Sequence, residues 1–189
     1  MTRTSLALLF VAALAAPALA QPAAPSAPPA PVARVTAPTG WIVDEPAADR
    51  VAAAVGNEDL FAGVRIGVDA QVWRSATPGA LLVTTQVTTE AMPAAPDAAA
   101  TSALHATRAG ADAVDGAKVA RWDVTVDPAG RLHEAALEWS DPSAGTTVVA
   151  RALVFRAGGA LIRISGECIL GPDAAALRPA CAAALASAL

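Results

Sequence analysis

Cys168 and Cys181 are the two cysteines of this 189-residue chain, and both fall in ISGECILGPDAAALRPAC near its C-terminus. A thiol can serve as a nucleophile, a metal ligand or half of a disulfide. A nucleophile needs exposure and a nearby base. A tetrahedral zinc site needs four ligands. His105 and His133 would have to complete that set, and nothing in the spacing brings them together. An even cysteine count, inward-facing positions and an oxidising destination favour a disulfide. It would close a loop of about fourteen residues, worth on the order of 3 kcal/mol in the chain-entropy model.

Arg151 is the other residue that asks for a reason. It shares a strand face with Val149, Leu153 and Phe155, and its expected cross-strand partner is Gly166. A guanidinium on an apolar face either snorkels to the sheet edge or pairs with a carboxylate such as Glu167. The sharper alternative is an anion or carboxylate site in which Gly166 leaves room for the ligand. Asp123, Glu134 and Glu138 form an acidic patch with Arg121 and Arg131 interleaved. Paired carboxylates can exchange protons when a cleft shifts their pKa values, and the mixed signs suit a solvated sheet face. Ser140, Asp141 and His133 make a catalytic triad on paper only, because SDPSAG is an ordinary turn sequence. GxSxG, GxGxxG and P-loop patterns are absent from the sequence, so no cofactor and no metal is expected.

Positioning these residues falls to a helix, two strands, a second helix, two hairpins and a closing helix. Asp44 or Glu45 caps a helix that has Pro46 in its first turn, with Ala47, Val51, Ala54 and Val55 on one face and Gly56 after it. Strands follow within 64–73 and 81–88, joined by Thr77-Pro78-Gly79, and a helix fits 97–108. On 119–126, Ala120, Trp122, Val124 and Val126 face one way. A turn at 127–130 would pair Val126 with Arg131 and Val124 with His133. Gly158-Gly159 closes the last hairpin, pairing Phe155 with Ile162, Leu153 with Ile164 and Val149 with Cys168. Cys168 therefore faces the core, and the other face carries Arg156, Arg163, Ser165 and Glu167. Leu177, Cys181, Leu185 and Ala188 form the inward stripe of the last helix. The expected fold is α+β, an antiparallel sheet of about six strands between helices, with the C-terminal helix packed on the sheet.

Residues 1–20 read as a secretory signal peptide: Arg3, then an apolar run, then Ala18-Leu19-Ala20 as the cleavage site. Gln21 stands where a lipoprotein would need cysteine. Residues 21–40 read as a disordered Pro/Ala tether, and 41–189 as one globular domain. The expected location is the periplasm or the medium, in soluble form. Net charge is −4, and the leader's sole charge is Arg3. An acidic chain is poorly suited to nucleic acid or anionic lipid. Four tryptophans, three phenylalanines and no tyrosine supply few rings for a sugar groove or a base-stacking platform.

The opening GWIVDEPAADR, the LLVTTQV strand before an alanine-rich helix, and VARALVFRAGGALIRIS before the last helix resemble the PsbP-like family, the extrinsic photosystem II subunit P and its relatives, across about 41–189. The resemblance implies an α/β/α sandwich and non-catalytic binding or assembly work. The expected setting is the cell envelope, with a protein or small anionic ligand as partner. The rivals are a small periplasmic hydrolase using His133 or Arg151, and a structural envelope component.

Overall fold

In the computed structural model, the described residues are 35–127 and 132–187. Residues 1–34, 128–131 and 188–189 lie outside them, and with them the expected signal peptide and most of the expected tether. The elements run β1 (Ile42–Val43), α1 (Glu45–Gly56), β2 (Ile66–Arg74), β3 (Ala80–Thr89), α2 (Pro96–His105), a 3-10 turn (Ala106–Arg108), α3 (Ala109–Asp112), β4 (Lys118–Val126), β5 (Leu132–Asp141), β6 (Thr146–Ala157), β7 (Ala160–Leu170), a 3-10 segment (Pro172–Leu177) and α4 (Arg178–Ala186). The strands form one antiparallel sheet in the order β1-β2-β3-β7-β6-β5-β4. The fold is α+β as expected. The described sheet has seven strands rather than about six, the extra one being the two-residue β1 at the edge.

Local chemistry explains the boundaries. Asp44 is the N-cap of α1, its Oδ1 accepting from the Ala47 N–H at 3.1 Å, with Pro46 in the first turn. The second helix does not stop at 108. It tightens into the 3-10 turn and continues as α3 through Gly110. Gly79 and the Gly158-Gly159 pair all have positive φ, as tight hairpin turns demand.

The β6–β7 register matches the sequence reading at every pair named: Phe155 with Ile162, Leu153 with Ile164, Arg151 with Gly166, Val149 with Cys168. The β4–β5 register does not. Val126 pairs with His133 and Val124 with Ala135, two residues away from the expected partners. A backbone bond from Asp127 N to Leu132 O at 3.0 Å closes the hairpin one residue later on each strand than the Val126–Arg131 pairing assumed. A shift of two keeps each side chain on its own face, so the hydrophobic pattern cannot detect it.

Two cores sit on the two faces. On one, α1, α2 and the 59–64 segment cover Val87, Ala135, Ala152, Val154 and Leu161. On the other, α4 and the 3-10 segment cover Leu82, Cys168 and Leu170. Val35 is 7% exposed and belongs to this second core. Val35 thus packs into the core six residues before the Trp41 boundary expected.

Candidate functional site

Alternation along the strands assigns each candidate to a face. Arg151, Gly166, Cys168, Glu134, Glu138, Arg121 and Asp123 share the α4 face, whereas His133, Arg163, Ser165 and Glu167 share the α2 face. His133 and Arg151 therefore cannot serve one site. Ser140 and His133 also fall on opposite faces. Asp141 is engaged in its own turn, accepting from Ser143 Oγ at 2.6 Å and Ser143 N at 2.8 Å, bonds that hold its carboxyl below the usual range. The cysteines lie across the sheet from His105 and His133. Among the described residues no group of three or more His, Cys, Asp and Glu is placed to hold a metal ion.

Cys168 and Cys181 are fully buried, and their sulfurs lie at bonding distance with Cα atoms 5.9 Å apart. β7 supplies one and the inward stripe of α4 the other. A disulfide here would fasten α4 to the sheet. A second fastening lies beside it. A Cβ built at Gly166 would overlap Leu185 Cδ2. The room that Gly166 leaves is therefore filled by an α4 leucine rather than by a ligand. The third fastening is Arg151. Its Nε donates to Glu134 Oε1 at 2.8 Å, and its Nη1 donates to the carbonyls of Leu185 and Ala186 at 3.3 and 3.2 Å. A cation at a helix C-terminus satisfies carbonyls that have no intrahelical donor and opposes the helix dipole. The carboxylate partner of Arg151 is Glu134, not Glu167, which points to the opposite face.

Beside α4 the sheet is open. Two adjoining hollows of about 310 and 340 Å³ run between α4 and the β4–β5 side. Their charges come in pairs: Arg121 Nε with Asp123 Oδ2 at 2.6 Å, Arg151 with Glu134, and Arg178 Nη2 with Glu138 Oε2 at 2.7 Å. Asp123 raises the pKa of Arg121 further above its already basic range. Of the acidic patch read from the sequence, Asp123, Glu134 and Glu138 share this face, and Glu134 and Glu138 line the groove. Arg178 completes it from α4, 40 residues along the chain from Glu138. No local pattern could have announced that partnership.

The α2 face holds a group the sequence reading passed over. Arg163 is 6% exposed. Its Nε donates to Ala103 O at 3.1 Å, Nη1 to Ser165 Oγ at 2.9 Å, and Nη2 to Thr107 Oγ1 at 3.1 Å. Ser165 Oγ also shares a 2.7 Å hydrogen bond with Thr85 Oγ1. Burial lowers the Arg163 pKa, and the fields of Glu167 and Glu58 oppose that. The half-buried Glu167 is raised chiefly by burial. His133 is buried on the same face, with Nδ1 lacking a hydrogen-bond partner among the described residues and Nε2 3.9 Å from Asp97. His105 packs edge-on to Trp122 at 5.8 Å, and Arg108 lies over that ring at 5.9 Å.

Compared with known proteins, the chain matches no family model and no curated protein. Among the described residues no helix is long and apolar enough to cross a membrane.

Proposed function

We propose that the chain is an exported, non-catalytic binding or assembly-accessory domain of the bacterial cell envelope, carried on a Pro/Ala tether and built on a PsbP-like plan. The order helix, two strands, helix, meander, closing helix supports the architectural part. The observation that carries the binding part is the groove beside α4. It is open, about 300 Å³ in each half, and lined by the Arg151–Glu134 and Arg178–Glu138 ion pairs and by Arg121, whose own partner Asp123 lies just outside it. Charges already satisfied by a neighbour are poor proton-transfer groups. They are good contact groups, since a partner surface carrying both signs can exchange pairs with them at little electrostatic cost.

Envelope extract passed over the immobilised domain tests this. The wild type should retain a discrete partner. Glu138→Arg, which sets two cations together in the groove, should lose it, and the added change Arg178→Glu should recover part of it. Equal retention by wild type and Glu138→Arg would move the binding surface elsewhere. No retained partner together with hydrolysis of ester or peptide substrates, abolished by His133→Ala, would favour the hydrolase reading instead.

A further inference from the structure

The sheet ends at β4, and that edge is self-complementary. We propose that two copies of the chain pair antiparallel through β4, about a twofold axis at Trp122, to make one continuous sheet. Among the described residues there is no further strand beyond β4 in the sheet order, and seven of its nine residues are exposed. Such an edge offers a row of backbone donors and acceptors to another strand.

The register follows from the side chains. Centred on Trp122, each Arg121 lies opposite the partner's Asp123, and each Asp123 opposite the partner's Arg121. Both are exposed and both lie on the α4 face. Within one chain they already form a 2.6 Å pair. In the dimer the four charges form an alternating square, an arrangement that opposite-charge cross-strand pairs stabilise. A shift of two residues either way sets Arg121 against Arg121 or Asp123 against Asp123. Like charges directly opposite are destabilising, so one register is selected.

The other face agrees. The β4–β5 pairing skips at Ala120, which puts Val119 on the same face as Trp122 and Val124. In the proposed register Trp122 meets Trp122, and Val124 meets the Val119–Ala120 bulge. Val119 and Val126, two of the exposed large apolar side chains, gain cover at this edge. A bulge and inward charges normally discourage edge pairing. Here they exclude arbitrary strands and admit this chain's own.

Light scattering on the intact chain over a concentration series should give a mass that doubles. Arg121→Glu makes positions 121 and 123 both acidic, and Asp123→Arg makes them both basic. Each variant alone should stay monomeric, and an equimolar mixture should form a one-to-one heterodimer visible by native mass spectrometry. In wild type, amides of 118–126 should exchange more slowly as concentration rises, a readout that needs no variant. A wild type monomeric at every concentration overturns the proposal. So do single variants that still dimerise, a mixture that stays monomeric, or β4 exchange independent of concentration.

Discussion

Arg151 and Arg163 sit on neighbouring strands and obey different rules. Arg151 lies on the α4 face, has a carboxylate at 2.8 Å and reaches the end of α4. Arg163 lies under α2 and is held by three neutral oxygens, with no carboxylate within ion-pair reach among the described residues. One face keeps its charges at the rim of a groove, with counter-ions. The other seals a charge inside and satisfies it with hydroxyls and a helix carbonyl. A surface that must meet partners can exchange exposed ion pairs freely. A sealed guanidinium is committed to holding α2 in place.

The largest expected break in this comparison is Arg163→Ala. It removes a buried side chain and leaves the Ala103, Ser165 and Thr107 oxygens without their donor, at a cost of about 4 kcal/mol. The matching change Arg151→Ala, in a half-buried and solvent-screened pair, should cost about 1 kcal/mol. Urea denaturation of the two variants side by side measures the ratio. Near-equal losses would erase the distinction.

Cys181→Ala tests the fastening of α4. Loss of a disulfide across a loop of about fourteen residues should lower stability by about 3 kcal/mol. The intact mass of the native protein should gain two hydrogens only after denaturation and reduction. Thiol labelling of the native, unreduced protein would contradict the staple. Gly166→Ala comes next, at about 2 kcal/mol, because the new methyl must displace Leu185 from a packed core. A neutral result would mean that α4 shifts easily on the sheet.

The smallest effect is a pH limb. Burial raises the Glu167 pKa in the folded chain. The folded state then holds that proton more tightly than the unfolded state does. This contribution to stability is fully present below the ordinary glutamate pKa and fades as pH rises through the raised value. Glu167→Gln should flatten that limb in a series of melts from acid to neutral pH. An unchanged slope would show that Glu167 is effectively solvated.

Much of the fold was legible because the last hairpin carries its own checks. Gly158-Gly159 fixes the turn, and the pairing that follows sets Phe155 with Ile162, Leu153 with Ile164 and Val149 with Cys168 on one face. The same logic found Arg151 by its misplacement and set Cys168 inward. It missed Arg163 because alternation was read as core against solvent. Both faces are in fact covered. Val87 and Val154 pair with Arg163 on either side, and two apolar flanks are the signal that this face is buried too. The β4–β5 register was illegible since a slip of two preserves every face. The groove was illegible because it depends on where α4 lands, which no local pattern encodes.

The central claim is that the α4 face is the working surface and the α2 face is structural. A photo-activated crosslinking residue placed at Ala182 on α4, or at Ser102 on α2, tests it directly. Both positions are exposed, and the first borders the groove. Irradiation in the cell envelope should give a discrete adduct from position 182 and none from position 102. Adducts from position 102 alone, or the same adducts from both, would contradict the account.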